Sequence, residues 1–379
     1  MAAHTITRDL LRRLADVRPD RGRVLSVFLN LDPAQFATPA ARSTAITSVL
    51  TEATHRVEEA EGLDHDEREA LKSDVERVRE ALQSGDIAQD GTRAVVVYAC
   101  SPADLLEVVR LRRPVDSGVV LDRTPHVEPL VADAGAERWC VVLANRRNAR
   151  LFLGDGGGLE ETDRVEDDVH SQHDQGGWSQ SRYQRGVEKE KDDHLVHVAD
   201  AAFDLYKRRG FDRLLIGAPD ELVNELKAKL HPYLRERIVG RLHLDVENTS
   251  LDDVKGAAGK ATEDWTRRCE RGALDRLTEA VGRGERGAAG LSGVLQTLNE
   301  QRVEILLVAD GFRSAGGRDT DTGMLFAGDH GPDGQELERC ENIVEPAIEK
   351  AIEQSAKVIK VRYHDDLGPL GGIGAVLRY

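Results

Sequence analysis

The chain has 379 residues, 40% of them hydrophobic and 4% aromatic, and its formal net charge is −16. This length predicts about two to four domains, with cores built mainly from aliphatic side chains. The acidic balance excludes a protein that coats nucleic acid non-specifically, because that mode of binding requires a basic surface.

The first third of the chain predicts a small α/β domain over residues 1–132. A helical pattern with one break indicates a charged two-helix hairpin, and apolar runs rich in β-branched residues indicate strands. In chain order, the predicted elements are a helix at 9–17, a strand at 23–31, two helices within 41–83 that separate near 62–64, a strand at 93–100 and short strands within 119–127.

Residues 133–265 predict a second domain, a mixed-sheet α/β unit of three layers with a long Gly-Gly loop. Its glycine run at 156–158 lacks the context of a phosphate-binding loop and lies between two strands, so we interpret it as a hairpin turn. The predicted elements are strands at 139–145, 149–153 and 159–165, the long loop at 166–184, a helix to 209, a strand at 213–218, helices at 220–230 and 232–238, and a strand at 241–245.

Residues 266–379 predict a third domain, a compact αβα sandwich. The acidic triplet 319–321 lacks the glycine and the final Glu of a calcium-binding loop, so we interpret it as a plain turn. The predicted elements are a long helix at 250–281 that enters this domain, a helix at 291–298, a strand at 303–308, a Gly-rich loop at 311–323, a helix at 340–354, a strand at 357–362 and a terminal strand at 373–377.

Hydropathy and cysteine usage predict a cytoplasmic protein with no membrane partner. No apolar run approaches the roughly 20 residues of a membrane span, and the N-terminus lacks the apolar segment of a secretory signal. Cys100, Cys140, Cys269 and Cys340 are far apart and form no Cys-x-x-Cys pair. We expect core thiols of a reducing compartment, with neither disulfides nor zinc.

The acidic charge is distributed unevenly along the chain. Residues 170–242 contain 13 Lys and Arg against 12 Asp and Glu, so the excess of acid lies elsewhere. An acidic body with a less acidic limb is typical of a docking protein that touches RNA with one arm. An acidic bacterial proteome explains the same balance equally well.

The most informative segment is QGGWSQSRYQR at 175–185. Adjacent glycines let the backbone approach a ligand without interference from Cβ atoms. Glutamine offers both a donor and an acceptor, and arginines at helical spacing suit phosphate groups. This combination favours RNA over a small metabolite as the ligand.

Gly176 to Arg185 resembles the tip of the catalytic domain in the archaeo-eukaryotic class-1 translation release factors, where Gly-Gly-Gln precedes small residues and an Arg-aromatic-x-Arg helix start. The final residues GGIGAVLRY at 371–379 resemble the Gly-Gly-Ile-x-x-x-Leu-Arg-Tyr end of the third domain of that family. Two motifs in the right order are more specific than either alone. The chain is identified as a bacterial member of this family, which includes the peptidyl-tRNA hydrolases of ribosome quality control, Pelota and the Balon-type hibernation factors.

The resemblance implies a release or rescue factor that hydrolyses peptidyl-tRNA on the ribosome without a cofactor or metal. Gly176 and Gly177 would shape the backbone, and Gln180 would order the attacking water. Trp178 takes the position of the family's glutamine, where its backbone N–H is retained and its indole would either clash or stack on RNA. Arg182 and Arg185 would hold acceptor-stem phosphates. The implied partners are the ribosome, the tRNA acceptor end and a translational GTPase.

Three other interpretations stay open. A non-catalytic hibernation or stress factor needs the same architecture but no functional glutamine. Arg182, Arg185, Lys189 and Lys191 are interleaved with acidic residues, which is also typical of an ordinary solvated helix face. Zinc is the third interpretation, with ligands drawn from the histidines at 170, 173, 194 and 197.

Overall fold

The computed structural model describes residues 4–6, 8–19, 21–84, 87, 92–134, 137–155, 158–167, 180–332 and 334–379. The chain forms two compact units, one of residues 1–135 together with 267–379 and one of residues 136–266. Each is built from helices packed on sheets, so the predicted α/β class is confirmed. The predicted division into three domains at 132/133 and 265/266 stays a prediction. Within the described residues, no helix is long and apolar enough to cross a membrane.

The N-terminal part of the first unit is a five-stranded sheet with helices on both faces. Its strand order is β1-β4-β3-β2-β5, and only the β1–β4 pair is parallel. The helix α3 begins with a capping box, in which Asp64 and Glu67 satisfy each other's backbone N–H groups. The elements are β1 (His4–Thr5), α1 (Arg8–Ala15), β2 (Val24–Asn30), α2 (Pro39–Glu59), α3 (His65–Gln83), β3 (Ala94–Cys100), β4 (Leu105–Leu111), β5 (Gly118–Asp122) and α4 (Glu128–Ala134).

The second unit is a mixed five-stranded sheet of order β10-β9-β6-β7-β8, as predicted. Strands β7 and β8 pair antiparallel up to Asp155 and Gly158, in agreement with the hairpin interpretation. The last strand lies three residues earlier than predicted, because Ile238 to Leu242 is the segment that pairs with β9. The elements are β6 (Trp139–Ala144), β7 (Asn148–Asp155), β8 (Gly158–Glu166), α5 (Gln180–Arg209), β9 (Arg213–Gly217), α6 (Asp220–Lys229), α7 (Pro232–Arg235), β10 (Ile238–Leu242) and the first half of α8 (Leu251–Arg283).

The C-terminal part of the first unit has the predicted αβα layering, with a sheet of order β11-β17-β12-β16. Leu274 and Leu277 of α8 pack on one face, and Leu295 and Ile348 pack on the other. A small second sheet, β14-β13-β15, was not predicted and lies partly in the expected Gly-rich loop. The elements are β11 (Gly287–Ala289), α9 (Leu291–Asn299), β12 (Val303–Ala309), β13 (Gly316–Arg318), β14 (Leu325–Phe326), β15 (Glu338–Cys340), α10 (Val344–Glu353), β16 (Lys357–Val361) and β17 (Ile373–Leu377).

The C-terminal Gly-Gly motif makes a turn that leads into β17, an interior strand of its sheet. Gly371 and Gly372 both have positive φ, at 78° and 77°. The carbonyl of Gly372 accepts a hydrogen bond from the Ala309 amide, and its own amide donates to the Leu367 carbonyl. Since a side chain at Gly372 would collide with the ring of Phe312, the motif is required by packing.

The cysteine prediction is correct for two of the four residues. None of the four forms a disulfide, and Cys100 and Cys140 are buried. Cys340 is half-buried and Cys269 is exposed on α8, so these two are not core thiols. Their spacing along the chain did not reveal which face of an element they occupy.

Candidate functional site

The predicted site residues divide between described and undescribed parts of the chain. Gly176, Gly177 and Trp178 lie outside the described residues. Gln180, Arg182 and Arg185 lie in the first two turns of α5, where the structure describes the backbone only. The expected loop to residue 184 is therefore wrong at its end, because the helix begins at Gln180. Gln and Arg are good helix formers, and no Gly or Pro interrupts residues 180–185.

The helix α5 has a long N-terminal portion ahead of its buried part. It contains 30 residues, which gives a length of about 45 Å at the usual helical rise. Lys191 is its first buried side chain among those that are described, and Gly186, Glu188 and Lys189 are exposed. From Leu195 onward the helix packs into the core of its unit. The helix therefore begins 11 residues before Lys191, which is about 16 Å along its axis.

A carboxylate fixes the other end of the segment that carries the Gly-Gly pair. We call residues 168–179 the Gly-Gly segment; Asp167 immediately precedes it. The Asp167 amide donates to the Arg147 carbonyl at 2.9 Å. Its carboxylate lies 2.6 Å from Nδ1 of His194 and 3.1 Å from Nδ1 of His197. The residue that precedes the segment is thus held directly against α5.

Burial and hydrogen bonding act in opposite directions on this carboxylate. Burial alone would raise the pKa of Asp167, but the hydrogen bonds from His194 and His197 outweigh it and lower that pKa. The His194 side chain is fully buried, whereas that of His197 is 58% exposed. The contact between Asp167 and His194 therefore stabilises the fold, because the buried His194 has no access to water that could replace Asp167 as its partner.

A second anchor lies where α5 enters the core. The Lys191 ammonium, 7% exposed as a residue, contacts Glu188 at 2.5 Å and Glu225 of α6 at 2.8 Å. Burial opposes its charge, but the two carboxylates prevail and raise the pKa of Lys191. For this lysine the interpretation as an ion-paired helix face is correct. Lys189, by contrast, is exposed and has no ion pair or hydrogen bond within the described part of the chain.

The zinc interpretation finds no support in the described histidines. His194 and His197 both turn Nδ1 toward Asp167, as in a carboxylate clamp. The histidines at 170 and 173 lie outside the described residues. Across the described ranges, the one group of three side chains close enough to share a metal ion is His126, Glu128 and Glu345, which the sequence did not suggest.

The acidic triplet of the C-terminal part is a turn, as interpreted. The Asp319 carboxylate accepts hydrogen bonds from the amides of Asp321 and Thr322 and from the amide group of Gln335. These bonds lower the pKa of Asp319, the contact with Thr322 contributing most. Its oxygens are used by the turn itself.

The N-terminus of α5 is suited to binding an anion. The first four N–H groups of a helix have no intrahelical partner, and the helix dipole gives this end partial positive charge. Such an end favours anions, including phosphate and a developing oxyanion. Gln180, Arg182 and Arg185 lie at this end of α5, next to the Gly-Gly segment.

Comparison with known proteins finds a family match over part of the chain. Residues 125–277 match the model of the bacterial archaeo-eukaryotic release factor family 10. Peptide chain release factor subunit 1 of Methanopyrus kandleri is 27% identical over 232 residues, which cover 59% of this chain and 54% of that protein. The same factor of Thermoplasma acidophilum is 24% identical over 186 residues, 47% of this chain and 44% of its own. The chain thus spans about half the length of the curated relatives it matches.

Among solved structures, ribosome-bound archaeal Pelota with ABCE1 is similar at 17% identity, covering all of this chain and 95% of the other, with a TM-score of 0.43. The family resemblance predicted from the two motifs is therefore confirmed by the family model and the release factor relatives. The matched range includes the whole of the Gly-Gly segment and α5.

Proposed function

We propose that this chain, whose residues 125–277 match the model of the bacterial archaeo-eukaryotic release factor family 10, is a ribosome-associated factor that presents the Gly-Gly segment to the acceptor end of a tRNA. The observation that carries the proposal is the position of this segment. In the sequence it lies between Asp167, which His194 and His197 clamp, and the start of α5 at Gln180. We infer that this segment enters a narrow RNA-lined site while the body of the unit stays outside.

Hydrolysis of peptidyl-tRNA is the first candidate for the step after binding. Water attacks the ester carbonyl, the bond to the ribose oxygen breaks, and the proton of the water passes to the leaving hydroxyl. Gly176 and Gly177 would allow close backbone approach, and Gln180 would order the water. The free N–H groups that begin α5 would stabilise the oxyanion. Arg182 and Arg185, one helical turn apart, would hold acceptor-stem phosphates.

Binding without hydrolysis is the second candidate, and two observations favour it. Gln180 is the first residue of α5, so its backbone is committed to a helix and does not lie within the loop. Trp178 stands where the family's glutamine is expected, with a bulky ring in place of an amide. A factor of this kind would occupy the tRNA site and keep the ribosome inactive.

An assay on stalled ribosomes carrying peptidyl-tRNA separates the two candidates. If the chain hydrolyses the ester, Gly177→Ala and Gln180→Ala are expected to lower the rate by about 10-fold or more, since each disturbs groups that act only in the transition state. Gln184→Ala, one turn further along α5, is the matched control and is expected to retain the rate. Release that is unchanged in both test variants would remove the hydrolysis candidate.

Co-sedimentation with ribosomes tests the binding step independently. The double variant Arg182→Ala/Arg185→Ala is expected to weaken binding and to reduce its dependence on salt, because two phosphate contacts are lost. Binding by the wild type without release would establish the non-catalytic candidate. A wild type that does not pellet with ribosomes would overturn the proposal as a whole. The same assay tests for the translational GTPase that the resemblance implies as a delivery partner. Adding such a GTPase is expected to change the amount of this chain that pellets with ribosomes, and the change should depend on GTP.

A further inference from the structure

A partly buried cluster of His126, Glu128 and Glu345 lies in the first unit, where the start of α4 packs on α10, and Glu345 is its buried member. We propose that this cluster binds one divalent transition-metal ion, such as Zn²⁺ or Mn²⁺, through the His126 imidazole and the two carboxylates. The ion would connect residues 126–128 to α10. The proposal is independent of the function assigned to the Gly-Gly segment, which lies in the other unit.

The geometry of the three side chains suits such an ion. One ligand atom from each residue lies within 4.8 Å of the others. Nδ1 of His126 is 3.3 Å from Oε1 of Glu345. A tetrahedral centre with bonds of about 2.0–2.2 Å spaces its ligand atoms about 3.5 Å apart. Since no two ligand atoms of the cluster are more than 4.8 Å apart, each pair has to approach by about an ångström or less to bind one ion. One nitrogen with two oxygens favours a transition metal over Mg²⁺ or Ca²⁺.

The backbone around His126 is already held in place. Its amide donates to the Ser26 hydroxyl at 3.1 Å, and its carbonyl accepts from the Tyr98 hydroxyl at 2.8 Å. The amides of the two following residues donate to Oε1 of Glu345 at 2.5 and 3.0 Å. Metal sites need such outer contacts to orient their ligands. Here these hydrogen bonds hold both the backbone of residues 126–128 and the carboxylate of Glu345 in place.

An unpartnered oxygen is the second, independent sign of a ligand. Glu345 is 6% exposed, and its Oε2 is buried with no hydrogen-bond partner within the described structure. A buried carboxylate oxygen without a partner is costly unless it meets a proton or a cation. A metal ion that Glu345 binds through this oxygen would satisfy it, while Oε1 keeps its two backbone amides.

The charge of the cluster also favours an added cation. Glu349, one helical turn from Glu345, is buried as well. The Arg18 guanidinium already lies 3.2 Å from the Glu349 carboxylate, so an added ion would meet the carboxylates of Glu128 and Glu345.

Lys360 is the cation that now competes for this place. Its ammonium is in contact with the Glu128 carboxylate and lies 3.9 Å from that of Asp310. Metal binding to Glu128 would displace the ammonium toward Asp310. The lysine therefore keeps a carboxylate partner when the ion is bound.

The test uses the full chain after treatment with a chelator, mixed with one equivalent of Zn²⁺, Mn²⁺ or, as a control, Mg²⁺. Bound metal is measured by mass spectrometry after gel filtration, and the Tm is recorded. We expect uptake of close to one Zn²⁺ or Mn²⁺ per chain and a rise in Tm of about 5 °C, because the ion binds the folded state only. Mg²⁺ is expected to produce neither.

Variants assign the ion to this cluster. His126→Gln and Glu345→Gln are expected to lose both the uptake and the rise in Tm. Glu349→Gln, equally buried on the same helix but outside the cluster, is the matched control and should keep both. If Glu345→Gln does not fold, His126→Gln decides. A wild type that takes up no stoichiometric metal would overturn the proposal, as would uptake that survives in His126→Gln.

Discussion

Replacing Gly372 by alanine is expected to destabilise the first unit by about 3 kcal/mol, from a left-handed backbone cost of about 1–2 kcal/mol and overpacking of about 1–3 kcal/mol. Gly372 has a φ of 77°, and a Cβ atom there would lie 2.3 Å from Cδ2 of Phe312. The ring cannot retreat without disturbing the core against which it packs. Both amide and carbonyl of Gly372 are hydrogen-bonded, so the backbone is also not free to move.

Urea unfolding followed by far-UV circular dichroism measures this effect. Gly368→Ala is the matched control, since Gly368 belongs to the same turn, has no positive φ, and a Cβ there meets no atom within 4 Å. We expect that control to change the free energy of unfolding by less than about 0.5 kcal/mol. Equal losses of unfolding free energy in the two variants would show that the Gly-Gly motif is not constrained as described.

Asp167→Ala is expected to lower the free energy of unfolding of the second unit by about 1–3 kcal/mol, because it leaves Nδ1 of the fully buried His194 without its partner. The change also releases the start of the Gly-Gly segment from α5. We therefore expect weaker binding to ribosomes in the co-sedimentation assay. All three tryptophans of the chain lie within residues 136–266, so their fluorescence reports on the unfolding of this unit.

A surface ion pair on the same helix provides the control. Asp192 pairs with Lys229 at 2.7 Å, and both side chains are partly exposed. Asp192→Ala is expected to cost less than about 1 kcal/mol and to leave ribosome binding unchanged. If it destabilises the protein as much as Asp167→Ala, the two contacts are equivalent and Asp167 is not a clamp.

The pH dependence supplies a further check on Asp167. Its pKa is lowered in the folded protein, so its stabilising effect is present above the pKa of the unfolded chain, near 4, and is lost as the pH falls through the folded pKa. The difference in stability between the wild type and Asp167→Asn should therefore shrink below about pH 4. A difference that persists under more acidic conditions would contradict the ionised clamp.

Local signals were enough to predict much of the fold. The break between α2 and α3 was visible in the sequence because Gly62 supplies a positive φ and Asp64 caps the next helix. The strand β3 is buried along its whole length and reads as one apolar run. By contrast, β4 has apolar residues at spacings that also suit a helix, so its pairing with β3 and β1 decides its structure.

The candidate sites depend on contacts that no local pattern contains. His194 was noticed as a potential zinc ligand, but its partner is Asp167, 27 residues earlier, at the end of a strand. Glu128 and Glu345 are 217 residues apart and meet because α4 packs beside α10. Sequence spacing cannot predict such pairs, because the order of strands and the packing of helices determine them.

The exposed position of Cys269 gives a practical route to observing this factor at work. Cys100 and Cys140 are buried, and burial raises the pKa of the half-buried Cys340 thiol to about 11, which makes it a poor nucleophile. A maleimide dye should therefore attach selectively to α8 without any engineered residue. Under the proposed function, energy transfer from that dye to a fluorophore on tRNA would record arrival and departure in real time, one molecule at a time.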